Sequence, residues 1–67
     1  MKVPKSFIGK EVKIEWANPI FDWHYFMVID KKTTVKVQGI TDKEDGSLHD
    51  GTTVWVRESE IKRISLA

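Results

Sequence analysis

The chain has 67 residues, with 11 basic and 10 acidic side chains and a formal net charge of +1. This length leaves room for one small core, so we expect residues 1–67 to form a single domain. The absence of cysteine excludes disulfides and a thiolate zinc site, and His24 and His49 lack the spacing of metal ligands. We therefore expect no cofactor, and self-association remains as a way to stabilise so small a domain.

Targeting and membrane signals are not evident in the sequence. Residues 1–12 lack the apolar run of a signal peptide, and no segment approaches the length of a membrane span. We therefore expect no membrane partner, and the lack of cysteine is typical of a cytoplasmic protein. The nearly balanced charge excludes a bulk electrostatic affinity for nucleic acid but allows a local basic patch.

The first predicted strand covers Lys10 to Trp16 and follows a segment with room for one helical turn before Gly9. Apolar and charged residues alternate along it, which predicts one buried face and one solvated face. The apolar side carries Val12, Ile14 and Trp16, and the solvated side carries Glu11, Lys13 and Glu15. Asn18-Pro19 ends the strand, because proline cannot donate to a ladder.

A central hairpin is predicted from Tyr25 to Ile40. Tyr25 to Ile29 is apolar at every position, which predicts a strand buried on both faces. The polar turn that follows begins at Asp30, whose carboxylate can accept from amides just downstream. The second strand alternates until Ile40, so we expect a bulge at Gly39 to return Ile40 to the core.

The C-terminal third contains turn formers and two further strands. Asp45-Gly46 and Asp50-Gly51 predict turns, and Thr52 to Arg57 predicts a strand with Trp55 opposite its two valines. Ile61 and Ile64 are three positions apart, which allows one 3₁₀ turn before or within a last short strand. The sequence thus predicts an all-β fold, a small, strongly bent, five-stranded antiparallel barrel. Its predicted core consists of Val12, Ile14, Phe26, Val28, Val35, Val37, Val54, Val56 and Ile64.

Two features have competing interpretations. The aromatic segment of residues 20–24 is either a surface patch for a partner or, as we favour, a cap on one end of the barrel. Asp22 with His24, and His49 with Asp50, resemble acid–base pairs, but such pairs arise easily in polar turns. No nucleophile motif, phosphate-binding glycine loop or His-Glu-x-x-His motif is present, so we expect a protein without enzymatic activity.

Two patterns at fixed spacing remain. Phe7 to Lys10 places Gly-Lys before the alternating strand, and Asp30 lies 21 positions after Gly9. Near the C-terminus, apolar residues follow Val56-Arg57 five and eight positions after Val56. From Phe7 to Ile64 the chain therefore resembles the Sm-like (LSm) family of small SH3-like barrels. The resemblance implies an oligomeric ring in which the fourth strand of one subunit pairs with the last strand of the next.

The same resemblance implies a site for single-stranded RNA where the two turns meet at the pore of the ring. Asp30 would fix its loop, Lys32 and Arg57 would cover the two faces of a base, and Thr34 and Ser59 would bond its edge. Thr34 stands where an asparagine usually reads the base, and Glu58 replaces the glycine that usually follows the arginine. We therefore expect binding that is weaker and less base-selective than is usual for the family.

The residues themselves permit two other interpretations. Lys31, Lys32 and Arg57 would form a local positive site suited to a phosphate backbone. Alternatively, Asp30 only caps its turn and Arg57 pairs with a neighbouring glutamate. A different function is that of an SH3-like barrel which binds a peptide or protein partner against Trp16, Trp23 and Trp55.

Overall fold

Five antiparallel strands form a single sheet in the order β4-β3-β2-β1-β5. The structure is a computed structural model that describes residues 1–19, 21–40 and 50–67. The strands are β1 (Glu11–Trp16), β2 (Tyr25–Lys31), β3 (Thr34–Gly39), β4 (Thr53–Arg57) and β5 (Ile61–Leu66). A first 3₁₀ turn covers Lys5–Phe7, and a second 3₁₀ turn covers Glu58–Glu60, directly before β5.

The predicted all-β class with five antiparallel strands is confirmed, but the sheet does not close into a barrel. The edge strands β4 and β5 do not pair with each other, and the prediction already expected at least one free strand edge. No helix of the described residues is longer than a 3₁₀ turn, and so none covers the sheet. Among the described residues, the apolar face is covered by side chains of the sheet itself and of the segments that flank the strands.

The core lies on one face of the sheet. Eight of the nine predicted core residues are buried, and Val54 instead packs half-buried against them. The buried predicted residues are Val12, Ile14, Phe26, Val28, Val35, Val37, Val56 and Ile64. Four further core residues, Val3, Trp16, Trp23 and Ile61, were not in the predicted core. Two of these four residues, Val3 and Trp23, come from segments outside the strands, so connecting segments also contribute to the core.

The central strand β2 is buried on one face only, which corrects the prediction of burial on both. Phe26 and Val28 are fully buried, whereas Tyr25 and Met27 are half-buried and Ile29 is exposed. A continuous apolar run is therefore not sufficient evidence for two covered faces, because period-two alternation still decides which side chains point inward.

A bulge in β2, rather than at Gly39, changes the alternation in the central hairpin. Val28 pairs with Val37 and Asp30 pairs with Lys36, so Ile29 is an extra residue. Gly39 itself continues the regular ladder of β3, and the predicted bulge at that position was wrong. Beyond the extra residue the faces of β2 are exchanged, because side chains alternate with a period of two.

The exchange of faces decides where two charged side chains go. Asp30 lies beside Lys36 on the outer face of the sheet, whereas Lys31 pairs with Val35, whose side chain is buried. The polar turn is consequently shorter than predicted, because Asp30 and Lys31 belong to β2 and the turn itself is residues 32–33.

Aromatic residues cap one end of the sheet, as predicted for the described part of residues 20–24. The Trp16 ring meets the Phe21 ring edge-on at 5.1 Å and the Phe26 ring at 5.6 Å. The indole N–H of Trp16 donates to the Trp23 carbonyl at 2.9 Å, and that of Trp23 donates to the Ile40 carbonyl at 3.0 Å. Both buried indoles are thus satisfied, as buried tryptophans require. Ile20 lies outside the described residues.

The turn predictions have a mixed outcome. Asp45-Gly46 lies outside the described residues, whereas Asp50-Gly51 forms a turn in which Gly51 has φ +83°. Gly9 has φ +84° at the junction between the first 3₁₀ turn and β1, and its N–H donates to the Val28 carbonyl at 2.7 Å. Glycine suits both positions because other residues rarely adopt this backbone conformation.

The one-sided burial predicts different effects for two isoleucines. Ile14→Ala should lower the free energy of unfolding by about 2–5 kcal/mol, because it empties a fully buried site. Ile29→Ala, the matched control on the outer face, should lower it by less than about 1 kcal/mol. Urea denaturation followed by circular dichroism measures both values. Equal losses would show that Ile29 is buried and that the assignment of faces is wrong.

Candidate nucleic-acid interface

The two turns predicted to form a site lie side by side. Thr34, the first residue of β3, pairs directly with Arg57, the last residue of β4. The turn before Thr34 is closed by the Lys32 N–H, which donates to the Thr34 carbonyl at 2.8 Å. The turn after Arg57 is the second 3₁₀ turn, which contains the exposed Ser59. The β3–β4 ladder therefore brings Lys32, Thr34, Arg57 and Ser59 to the same end of the hairpin.

Asp30 lies next to this group, at the end of β2. Its side-chain Oδ1 accepts from the Lys31 N–H at 2.7 Å, which is the downstream amide contact that the sequence predicts. The carboxylate therefore restrains the backbone where the bulge leads into the turn. This contact agrees with a role in shaping the loop and does not require contact with a ligand.

Arg57 has its backbone anchored and its side chain exposed. Its N–H donates to Glu60 Oε1 at 2.8 Å, which caps the second 3₁₀ turn. Within the described parts of the chain no carboxylate forms an ion pair with the Arg57 guanidinium. The expected alternative, in which a neighbouring glutamate pairs with this side chain, is therefore not observed there.

Lys31 is removed from the expected cluster of cations. Its Nζ lies 3.4 Å from Glu58 Oε2, and the two side chains are only 13% and 22% exposed. Lys31 therefore binds Glu58 instead of contributing to an open positive site. The available cations at the turns are Lys32 and Arg57, both exposed.

Glu58 holds the N-terminal segment to the sheet. Its Oε2 accepts from the Val3 N–H at 2.6 Å, across 55 positions of sequence. This backbone hydrogen bond is the main cause that lowers the pKa of Glu58; burial opposes the shift, and the nearby Lys31 and Lys2 add to it. The sequence-based expectation that Glu58 opposes Arg57 misses this role, because nothing local connects Glu58 with Val3.

An exposed tryptophan with two lysines lies beside the turns. Trp55 is 44% exposed, on the side of β4 opposite Val54 and Val56, as predicted. Lys36 is its direct cross-strand partner, with Nζ 5.9 Å from the indole centroid, and the Lys32 Nζ lies 5.7 Å from the same centroid. Alternation alone predicts the exposure of Trp55, but its proximity to Lys36 depends on the β3–β4 register.

Two of the three tryptophans expected to line a peptide groove are buried. Trp16 and Trp23 are each only 9% exposed and belong to the core, so they cannot line a groove together with Trp55.

The described residues contain no group of three histidine, cysteine or acidic side chains able to hold a metal ion. No helix within residues 1–19, 21–40 or 50–67 has the length and apolar character needed to cross a membrane.

Comparisons of this chain with models of known protein families, with curated proteins and with solved structures find no match. The Sm-like resemblance therefore stays a prediction based on residue spacing. The all-β sheet and the adjacent turns are observed independently of that resemblance. Any proposal about function must accordingly rest on the geometry of this chain.

The contacts of Glu58 predict a defined response to acid. Because its pKa is lowered in the folded state, its contribution to stability is complete above the unfolded-state pKa and is lost as the pH falls through the folded-state pKa. We expect the free energy of unfolding to decrease as the pH falls below the ordinary glutamate pKa of about 4.3. Glu58→Gln should be less stable than the native protein at pH 7 and should lose less stability in acid.

Glu15→Gln is the control for this measurement. Glu15 forms an ion pair with Arg63 at 3.3 Å, but both side chains are well exposed. Its removal should change the free energy of unfolding by less than about 1 kcal/mol at any pH. Denaturant titrations at several pH values compare the three proteins. Identical acid profiles for the native protein and Glu58→Gln would contradict the anchoring role.

Proposed function

We propose that this protein binds single-stranded RNA without catalysing a reaction, at the site formed by Asp30, Lys32, Thr34, Arg57 and Ser59. The observation that carries the proposal is the pairing of Thr34 with Arg57, which brings both turns to one end of the β3–β4 hairpin. A basic, exposed turn pair of this kind suits a flexible anionic strand better than a rigid duplex.

Electrostatics at the turns support the proposal. Lys32 and Arg57 are exposed, and the negative charge of Glu58 is offset by Lys31 at 3.4 Å. Glu58 therefore opposes Arg57 less than its place in the sequence suggests. Arg57 can donate to phosphate or stack on a base, whereas the ammonium of Lys32 acts as a point charge.

The groups that would read a base are few. Thr34 and Ser59 each have one hydroxyl, which either donates or accepts and does not match the two-sided pattern of an amide. Thr34 is also half-buried at the start of β3. The proposed binding is therefore driven mainly by charge and stacking, with little preference among bases.

We further propose that the protein assembles into a ring through its strand edges. β4 and β5 are the two edges of the sheet formed by the described strands, and an edge strand offers backbone groups to a neighbouring copy. Head-to-tail pairing of β4 with the β5 of another subunit uses two different surfaces, and such pairing closes when the rotation permits. A ring would repeat the turn site around its centre, which increases the affinity for a long strand.

Fluorescence anisotropy with labelled oligouridine and oligoadenosine at low salt tests RNA binding. The double variant Lys32→Ala with Arg57→Ala should bind both strands more weakly than the native protein. Because each lost phosphate contact reduces counterion release, the slope of log affinity against log salt should decrease by about 0.7 per contact. Oligoadenosine should bind within a small factor of oligouridine, since few groups read the base.

A charge-matched double variant separates the site from overall charge. Lys5→Ala with Lys10→Ala removes two exposed cations outside the Asp30–Thr34 and Arg57–Ser59 turns and outside the edge strands β4 and β5, and it should leave the affinity nearly unchanged. If neither oligonucleotide binds the native protein, or if both double variants behave alike, the turns do not form an RNA site.

The mass in solution tests assembly. Analytical ultracentrifugation at tens of micromolar should give a species of several times the 7.8 kDa monomer. Lys62→Pro should reduce this mass, because proline cannot donate to an inter-subunit ladder. Since Lys62 is part of β5, circular dichroism must show that the variant is still folded. A native protein that remains monomeric would exclude the ring.

A further inference from the structure

We propose that Trp55 forms a second, base-stacking site for single-stranded nucleic acid, on the outer face of the β3–β4 hairpin. The inference rests on the proposed function for its class of ligand, but it adds a different interaction on the adjoining outer face of the sheet and shares Lys32 and Arg57 with the turn site. The turn site depends on Arg57 and the loop residues, whereas this site depends on the plane of an indole. A strand bound at the turns would continue across the sheet face to reach it.

The exposure of Trp55 is unusual in this chain. The other two tryptophans are 9% exposed and donate their indole N–H groups to backbone carbonyls. Trp55 is 44% exposed, and its cross-strand partner is the half-buried Lys36. The described residues do not bury this ring, although a polar side chain would fit an exposed position of the strand equally well.

The charges around Trp55 determine the kind of ligand. The Nζ atoms of Lys32 and Lys36 lie 5.7 and 5.9 Å from the ring centroid, and Arg57 is two residues further along the exposed side of β4. An aromatic plane with two cations near its centroid and a third on the same side of the strand suits a base whose neighbouring phosphates are negative. Among the described strands, Asp30 pairs with Lys36, and its Oδ1 accepts from the Lys31 N–H.

Stacking at Trp55 would not distinguish RNA from DNA. Every base has a π face, and lysine ammonium groups recognise phosphate without reading the sugar. The site should therefore accept oligouridine and oligothymidine with similar affinity, whereas a site that reads the 2′-hydroxyl would prefer RNA. The ratio of the affinities for oligouridine and oligothymidine therefore distinguishes a stacking site from a pocket that reads the sugar.

Tryptophan fluorescence and anisotropy together provide the test. Both oligouridine and oligothymidine should quench the emission of the native protein, since Trp55 is the accessible tryptophan. Trp55→Phe should abolish most of this quenching while it retains part of the affinity, because phenylalanine can still stack. Trp55→Ala should weaken binding by about 5- to 150-fold, the range found for the loss of one stacked base.

A matched pair of lysine variants tests the role of the cations. Lys36→Gln should weaken binding and reduce its salt dependence. Lys13→Gln removes a lysine with the same relation to an aromatic ring, since Lys13 Nζ lies 5.7 Å from the centroid of Tyr25, on the outer face of the β1–β2 pair. The Lys13 variant should bind like the native protein. Equal effects of the two variants would overturn the role assigned to Lys36.

The outcomes separate this site from the turn site. If Arg57→Ala weakens binding and Trp55→Ala does not, the stacking site is wrong and the proposed turn site stands. If Trp55→Ala weakens binding and Arg57→Ala does not, the stacking site stands and the turn site is wrong. An unchanged quench in Trp55→Phe overturns the stacking site, and a native protein that binds neither strand overturns both. Circular dichroism of each variant confirms that it remains folded.

Discussion

The extra residue at Ile29 is the constraint on which the rest of this structure depends. Before it, the buried side chains of β2 are Phe26 and Val28; after it, the faces are exchanged. Lys31 is thereby directed toward Glu58, and Asp30 toward the outer face. Without the extra residue the alternation would direct Asp30 inward, and a buried carboxylate without a partner is costly. One bulge thus sets both the inner ion pair and the outer charge pattern.

The carboxylate of Glu58 connects residues that are far apart in the sequence. Its carboxylate contacts Lys31 of β2 and the N–H of Val3, while its backbone begins the 3₁₀ turn that leads into β5. Val3 then fills the core with 1% exposure. No helix of the described residues covers the sheet, and the N-terminal segment contributes Val3 to its core. The ion pair is therefore important chiefly because it places an apolar residue.

Two of the three tryptophans are buried, and the third is exposed on the surface. Trp16 and Trp23 are buried and form hydrogen bonds, so they contribute to the core and to the cap. Trp55 faces outward among lysines, next to the turns that contain Lys32 and Arg57. A domain this small buries little surface on folding, so its large apolar side chains normally stabilise it most when they lie in the core. A large ring left outside, with cations around it, is the strongest indication of a ligand surface.

The sequence by itself determined the all-β class, most of the core and the outward face of Trp55. These follow from period-two alternation, which is a local property of the chain. It also predicted that Asp30 bonds the next amide, since that contact spans one residue. The tertiary structure alone decided the bulge at Ile29, the open sheet, the ion pair of Lys31 and the anchoring of Val3. Each of these depends on register or on contacts between residues far apart in sequence, and no local pattern encodes the balance of pairing and burial that selects them.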